Sequence, residues 1–346
     1  MNKIKVLIVE DSYVFRELLV RCLRADPLLE VVATASNPYE ARDAIIKYNP
    51  DVMTLDVEMP RMSGIEFLRK LMPQYPLPTV MISSLSDAVF DALEAGAVEF
   101  VNKPSGLTGE QLYNFMSTEL ATKIKIASTV KVGKLKKLRE PEVQPVSVAT
   151  GSNIHMVAIG ASTGGTEAIF DVVKQFNRDI PGVVIVQHMP PGFTKMYADR
   201  LNNQCRVAVK EAQTGDIICP GQVLIAPGDK HMKVVKVGQT YKVECAPGER
   251  VNGHCPSVDV LFDSVAKVVG SKAIGIILTG MGADGAKGLL NMKNSGAVTV
   301  GQDEATCIVY GMPKAAYDIG AVDYQQPLLR IPQRVYDIIN MKNKSR

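Results

Sequence analysis

Residues 157–166 read VAIGASTGGT, an apolar run that meets a glycine-rich turn with a hydroxyl at its apex. An apolar strand that breaks into such a turn is how an α/β sheet delivers a nucleophile. Gly160, Ala161, Ser162, Thr163 and Gly164 satisfy G-x-S-x-G, where a sharp strand-to-helix turn needs glycines on either side of an exposed serine. Ser162 is the candidate nucleophile. The same residue types also open helices and cradle phosphates, so the reading needs support from the rest of the chain.

Downstream, the run 155–159 is followed by a helical pattern over 168–176, then by a strand over 183–186, a helix over 193–201 and a strand over 207–209. This alternation predicts a doubly wound, mostly parallel sheet. The stretch 217–244 is richer in glycine and β-branched residues and predicts strands and turns set against that sheet. Val258, Leu261, Phe262, Val265 and Val268 have the spacing of an amphipathic helix, and a buried run over 273–278 leads into TGMGADG. A closing helix is expected over 332–340. A serine needs a base, and the next strand ends in Gln187-His188-Met189-Pro190, which puts an imidazole at the same sheet edge. His188 is the candidate base; His155 sits at the wrong end of its strand, while His231 and His254 are rivals, His254 the stronger. Asp284, in the turn after the buried run, is the candidate carboxylate that orients the imidazole, with Asp259 and Asp303 as alternatives. The order Ser, His, Asp differs from the Ser, Asp, His of α/β-hydrolases, so the turn alone does not assign that family.

Upstream, five strand–helix units fit the first third: 4–9 then 14–23, 31–35 then 39–48, 52–55 then 65–71, 79–82 then 88–95, and 98–101 then 111–126. Helix starts are marked by Asn37-Pro38 with Glu40, by Ser63 with Glu66, and by Thr108 with Gln111. Ligands gather at the carboxyl ends of parallel strands, where this chain places Glu10, Asp11, Asp56, Ser83 and Lys103. Three carboxylates at one edge repel each other unless a hard cation lies among them, and Mg²⁺ suits an oxygen-rich site that keeps water. The hydroxyl and the ammonium complete a place for an anion.

With 346 residues, the chain exceeds what one core usually serves. Its 46% hydrophobic and 22% charged residues and net charge of +3 describe a globular protein and not a nucleic-acid coat. Six cysteines without a C-x-x-C pair, and no signal-peptide pattern, predict a cytoplasmic setting; no run reaches membrane-span length, so no membrane insertion is expected. Between the two α/β patterns, residues 127–152 carry five basic residues from Lys131 to Arg139, then prolines without period, and predict a linker. A nucleotide-dependent Rossmann enzyme is disfavoured because GASTGG lacks G-x-G-x-x-G spacing. A DNA-binding output domain is disfavoured because the second part is far larger than such a module and shows no basic recognition helix.

EDS at 10–12, LDVEMPRMSG at 55–64 and NKP at 102–104 closely resemble the receiver domain of two-component response regulators. The resemblance implies a flavodoxin-like domain over 1–126 in which Asp56 takes a phosphoryl group from a chemotaxis histidine kinase. Glu10, Asp11 and Asp56 would then hold Mg²⁺, with Ser83 and Lys103 on the phosphoryl oxygens. IGASTGG, QHMP, APG at 226–228, PSVDVLF at 256–262 and LTGMGADG resemble the chemotaxis methylesterase family, CheB, over 153–346. That resemblance implies Ser162, His188 and Asp284 as the triad, with Thr163 and Met281 beside it. The expected substrates are γ-methyl glutamyl esters and certain glutamines on chemoreceptors, attacked through an acyl-serine without metal or cofactor. The receiver is expected to gate the esterase, with phosphorylation releasing it.

Overall fold

Five buried apolar runs become the parallel strands of the first unit: β1 (Ile4–Val9), β2 (Leu29–Ala35), β3 (Val52–Asp56), β4 (Thr79–Ser83) and β5 (Glu99–Asn102), in the order β2-β1-β3-β4-β5. The computed structural model describes residues 3–84, 88–104, 106–107, 109–130 and 153–344. They form two compact units that divide within the undescribed stretch 131–152. Most of the expected linker, and the expected Thr108 helix start, therefore lie outside the described residues. The intervening helices are α1 (Tyr13–Arg24), α2 (Pro38–Tyr48), α3 (Gly64–Leu71), α4 (Ala88–Glu94) and α5 (Gly109–Ser128).

Local chemistry explains where these helices begin. The Asn37 side chain accepts from the backbone N–H groups of Tyr39 and Glu40, and Ser63 Oγ accepts from Glu66 N at 3.2 Å. Glu40 reaches back one residue further than a capping box would, to Ser36 N at 2.7 Å. Chain reversal at the strand order β1-β3 leaves a crevice at the carboxyl ends, as in any doubly wound sheet.

The second unit has seven parallel strands: β6 (Met156–Ala161), β7 (Gly182–Gln187), β8 (Ala208–Glu211), β9 (Gln222–Ile225), β12 (Ala273–Ile277), β13 (Val298–Gln302) and β14 (Tyr324–Gln326). Their order is β14-β13-β12-β6-β7-β9-β8. The hairpin β10 (His231–Val237) and β11 (Thr240–Ala246) forms a separate antiparallel pair, as the glycine-rich middle stretch predicts. The helices are α6 (Gly165–Val173), α7 (Phe193–Gln204), α8 (Val258–Val268), α9 (Ala286–Asn294), α10 (Met312–Asp318) and α11 (Ile331–Lys344). Helix α8 buries Val258, Leu261, Phe262 and Val265 completely between the sheet, the hairpin and α9. Each such side chain contributes roughly 1.5–3 kcal/mol on leaving water.

Two features differ from the expectation and bear on the site. Helix α6 starts three residues earlier than its apolar spacing implies, because Gly164 at φ 74° turns the chain straight from strand to helix. Its first N–H groups thereby lie beside Ser162. Strand β9, from the stretch expected to lie against the sheet, instead joins it between β7 and β8, and because β7 and β12 flank β6 the switch point falls at the end of β6.

Candidate active site

Ser162 follows β6 at that switch point, and its backbone N–H donates to Thr279 O at 3.0 Å. The parallel register pairs Ala161 with Gln187, so His188 emerges from β7 next to the serine, its own N–H donating to Ala161 O at 3.2 Å. On the other flank, β12 pairs Ile277 with Gly160 and leads through Gly280 into the turn that carries Asp284. Three adjacent strands thus bring the three residues to one sheet edge. Gly280 is required for the approach, because a Cβ there would lie 2.7 Å from the Ser162 Cβ and would also strike the Met312 sulfur.

His188 Nε2 lies 2.8 Å from Asp284 Oδ2, with the two side chains almost wholly buried. This pairing puts the ring proton on Nε2 and leaves the lone pair on Nδ1, which is buried and has no hydrogen-bond partner. Asp284 is held by four further donors. Val258 N donates to Oδ2 at 2.7 Å, while Ser257 Oγ, Asn252 Nδ2 and Asp259 N donate to Oδ1 at 2.7, 2.8 and 3.3 Å. Burial by itself would raise the pKa of this carboxyl, but the hydrogen bonds from His188, Asn252 and Ser257 and the His188 charge outweigh it and hold the group well below the usual carboxylate range.

The rival residues are placed elsewhere or otherwise engaged. Both ring nitrogens of His231 are occupied, Nε2 with Glu249 O at 2.8 Å and Nδ1 with Ser257 N at 3.2 Å. His155 precedes β6 at its amino end, against Tyr241. His254 lies flat on His188, ring centroids 3.7 Å apart at 11°. Asp303 accepts from Thr306 in a local turn, and Asp259 accepts from Gly288 N and Asn252. Burial raises the Asp259 pKa, the Gly288 N–H opposes it, and the Asp284 charge raises it further. Thr163 is buried, its carbonyl accepting from Thr279 Oγ1 at 3.0 Å, while Met281 is 48% exposed at the rim. Sequence reasoning passed over Gln187, whose buried amide donates to Ser162 O at 2.9 Å and His188 O at 3.2 Å and so ties the two turns together. Asn252 and Ser257 were passed over too, although Asn252-Gly253 is a recognisable turn dipeptide.

In the first unit, carboxylate oxygens of Glu10, Asp11 and Asp56 all lie within 4.8 Å of one another. Glu10 and Asp56 are buried and Asp11 is exposed. Burial first, then the Asp56 charge, raises the Glu10 pKa to about 7, against the opposing pull of Lys103. Glu10 Oε2 has no hydrogen bond, although the Lys103 ammonium lies 3.1 Å away. A pocket of crowded, underpaired carboxylate oxygens open to solvent at one corner fits a hard divalent cation. Lys103 Nζ donates to Asp56 Oδ2 at 2.7 Å. Burial would lower the Lys103 pKa, yet its bonds to Asp56 and Glu10 leave it raised. Ser83, buried at the end of β4, turns its hydroxyl to Ser84 O at 2.9 Å.

A response regulator receiver profile matches residues 6–113, and a CheB methylesterase profile matches residues 157–335. The chain is 60% identical over 340 residues to "Protein-glutamate methylesterase/protein-glutamine glutaminase 2" of Syntrophomonas wolfei, with 98% of this chain and 99% of that one covered. A protein-glutamate methylesterase/protein-glutamine glutaminase of Syntrophotalea carbinolica is 52% identical, covering 98% of each chain. Among solved structures, the CheB methylesterase catalytic domain of Thermotoga maritima overlays with a TM-score of 0.53 at 37% identity, covering 54% of this chain and 99% of that one. Among the described residues no helix is long and apolar enough to cross a membrane. With an α/β receiver, a mostly parallel α/β second unit, and both profiles in that order, the chain belongs to the CheB methylesterase family of response regulators.

Proposed function

We propose that Ser162, His188 and Asp284 perform the ester hydrolysis of this family in residues 153–346, under control of a receiver formed by residues 1–126, with 127–152 as the tether. The chain is a phosphorylation-regulated protein-glutamate methylesterase and protein-glutamine glutaminase. The observation that carries the residue roles is the 2.8 Å contact between His188 Nε2 and Asp284 Oδ2 beside the turn that bears Ser162. Ser162 Oγ attacks the γ-carbonyl of a methylated glutamate while His188 Nδ1 takes its proton. The oxyanion forms next to the first turn of α6, where the helix dipole favours negative charge. His188 then returns the proton to the leaving methoxide, methanol departs, and a water activated by the same nitrogen cleaves the acyl-serine. With a glutamine the leaving group is ammonia.

The substrates are methyl-accepting chemoreceptors, reached from the cytoplasm, and the phosphodonor is a chemotaxis histidine kinase. In the receiver, Asp56 accepts the phosphoryl group, and Lys103 and Ser83 contact its oxygens. Glu10, Asp11 and Asp56 would hold Mg²⁺, which would supply neutralising charge for the transfer. The test is methanol release from membranes carrying methyl-esterified chemoreceptor. Ser162→Ala and His188→Ala are expected to lose about 10⁴-fold in kcat. Undiminished release by Ser162→Ala would refute the assignment.

A further inference from the structure

The loop between β11 and α8 places three of its side chains on the imidazole–carboxylate pair. Its tip, Val251-Asn252-Gly253-His254, is a two-residue hairpin turn with reciprocal backbone bonds of 3.0 Å between Val251 and His254. Asn252 and Gly253 have φ of 53° and 84°, the positive pair that an Asn-Gly turn adopts. The turn sends Asn252 inward, where Nδ2 donates to Asp284 Oδ1 at 2.8 Å and to Asp259 Oδ2 at 2.7 Å. One neutral amide thereby separates two carboxylates. The next residue but one, His254, lies flat on the His188 ring, and Ser257 at the loop's end adds its own bond to Asp284.

Resting on the reading of His188 as the base, we infer that this loop clamps the catalytic pair, with Asn252 and His254 as positioning residues for the reaction. A ring stacked at 3.7 Å covers one face of His188, restricts its rotation and keeps water off that face. When His188 becomes an imidazolium as Ser162 attacks, an aromatic face against it stabilises the positive charge. Asn252 works on the other partner. Its amide neutralises part of the Asp284 charge and keeps Asp259 apart from it, so that the carboxylate holds the imidazole in one orientation. The ionisable groups around the pair are His254, Asp259, which feels Asp263 behind it, and, on the loop itself, Cys255, Glu249 and Arg250.

The full chain, assayed for methanol release with thermal midpoint as the check on folding, separates the outcomes. His254→Ala and His254→Gln are expected to lower kcat about 10- to 100-fold, while His254→Phe, which keeps a ring face and cannot titrate, stays within about threefold of the parent. Asn252→Gly keeps the positive-φ turn and removes only the amide. It is expected to lower kcat about 10-fold at unchanged KM and to move the acid limb of the kcat/KM profile to higher pH by about half a unit or more, because the less neutralised carboxylate strengthens proton binding to His188. A merely structural role would lower the midpoint and leave the acid limb in place. Parent-like kcat in His254→Ala, a His254→Phe as slow as the alanine variant, or an unmoved acid limb in Asn252→Gly overturns the clamp. Ser162→Ala in the same assay reports on the triad itself: if it retains activity, that reading fails whatever the loop variants do.

Discussion

Asp284 carries the site's clearest dependence on pH. Its folded-state pKa lies below its unfolded value, so the hydrogen bonds it accepts contribute stability that is fully present above the ordinary carboxylate range and is lost as pH falls through the folded value. Denaturant midpoints of the parent should therefore drop steeply below about pH 4, and Asp284→Asn should show a shallower acid slope because it has no such proton to take up. Equal slopes would mean that the carboxylate is not held ionised by its five donors. In the proposed mechanism the same residue orients the base and transfers no proton, so Asp284→Ala should lose less kcat than Ser162→Ala or His188→Ala. In the first unit, added Mg²⁺ should raise the thermal midpoint of the parent, and Asp11→Asn or Glu10→Gln should weaken that shift, since each removes one oxygen from the cluster of three. The placement of Ser162, His188 and Asp56 was legible because each ends an apolar run, where a parallel sheet collects its ligands. Gln187, Asn252 and Ser257 were not, because a polar residue acquires such a role only when another strand or loop approaches it.

Elements were legible to the degree that their burial left a pattern. The strands of the first unit stand within a residue or two of their apolar runs, since parallel strands buried on both faces read as continuous hydrophobic stretches. Strand β14, Tyr-Gln-Gln, has no apolar signature at all, and α9 carries Gly288 inside it, which hides its helical period. That glycine is needed because a Cβ there would meet Phe262 Cβ at 2.7 Å and the Asp259 backbone at 3.0 Å, so α8 and α9 could not pack as closely. Gly280, in the turn after β12, has a sharper consequence. Gly280→Ala should leave most of the fold intact yet displace Ser162 by a few tenths of an ångström or more, and a loss of about 10²-fold in kcat is expected. Titrating the activity with an active-site acylating ester would show whether every molecule retains its serine in a reactive position. Full kcat in this variant would mean that the turn yields without moving the nucleophile.

For the molecule as a whole, a receiver and an esterase in one chain make the esterase rate a function of receiver phosphorylation, for which Asp56 is the proposed site. Phosphorylation can shift that rate only by interacting differently with active and inactive forms, and tenfold activation corresponds to about 1.4 kcal/mol of such coupling. Asp56→Asn should abolish activation by a small phosphodonor, and removal of Mg²⁺ should do the same while leaving residues 153–346 alone unaffected. If the receiver restrains the esterase, deleting residues 1–140 should raise the basal rate; a truncated enzyme no faster than the unphosphorylated chain would favour direct stimulation instead. The convergence of β6, β7 and β12 on the site has a further consequence in time. His188 and Asp284 stand 96 residues apart in the chain, and β12 reaches β6 only after most of the second unit has been traversed. Pairings of such long range close late, because the chain must surrender the entropy of a large loop before the contact repays it. During refolding from denaturant, helical signal should return before hydrolysis does, and the lag between them measures how long the half-assembled sheet waits for β12.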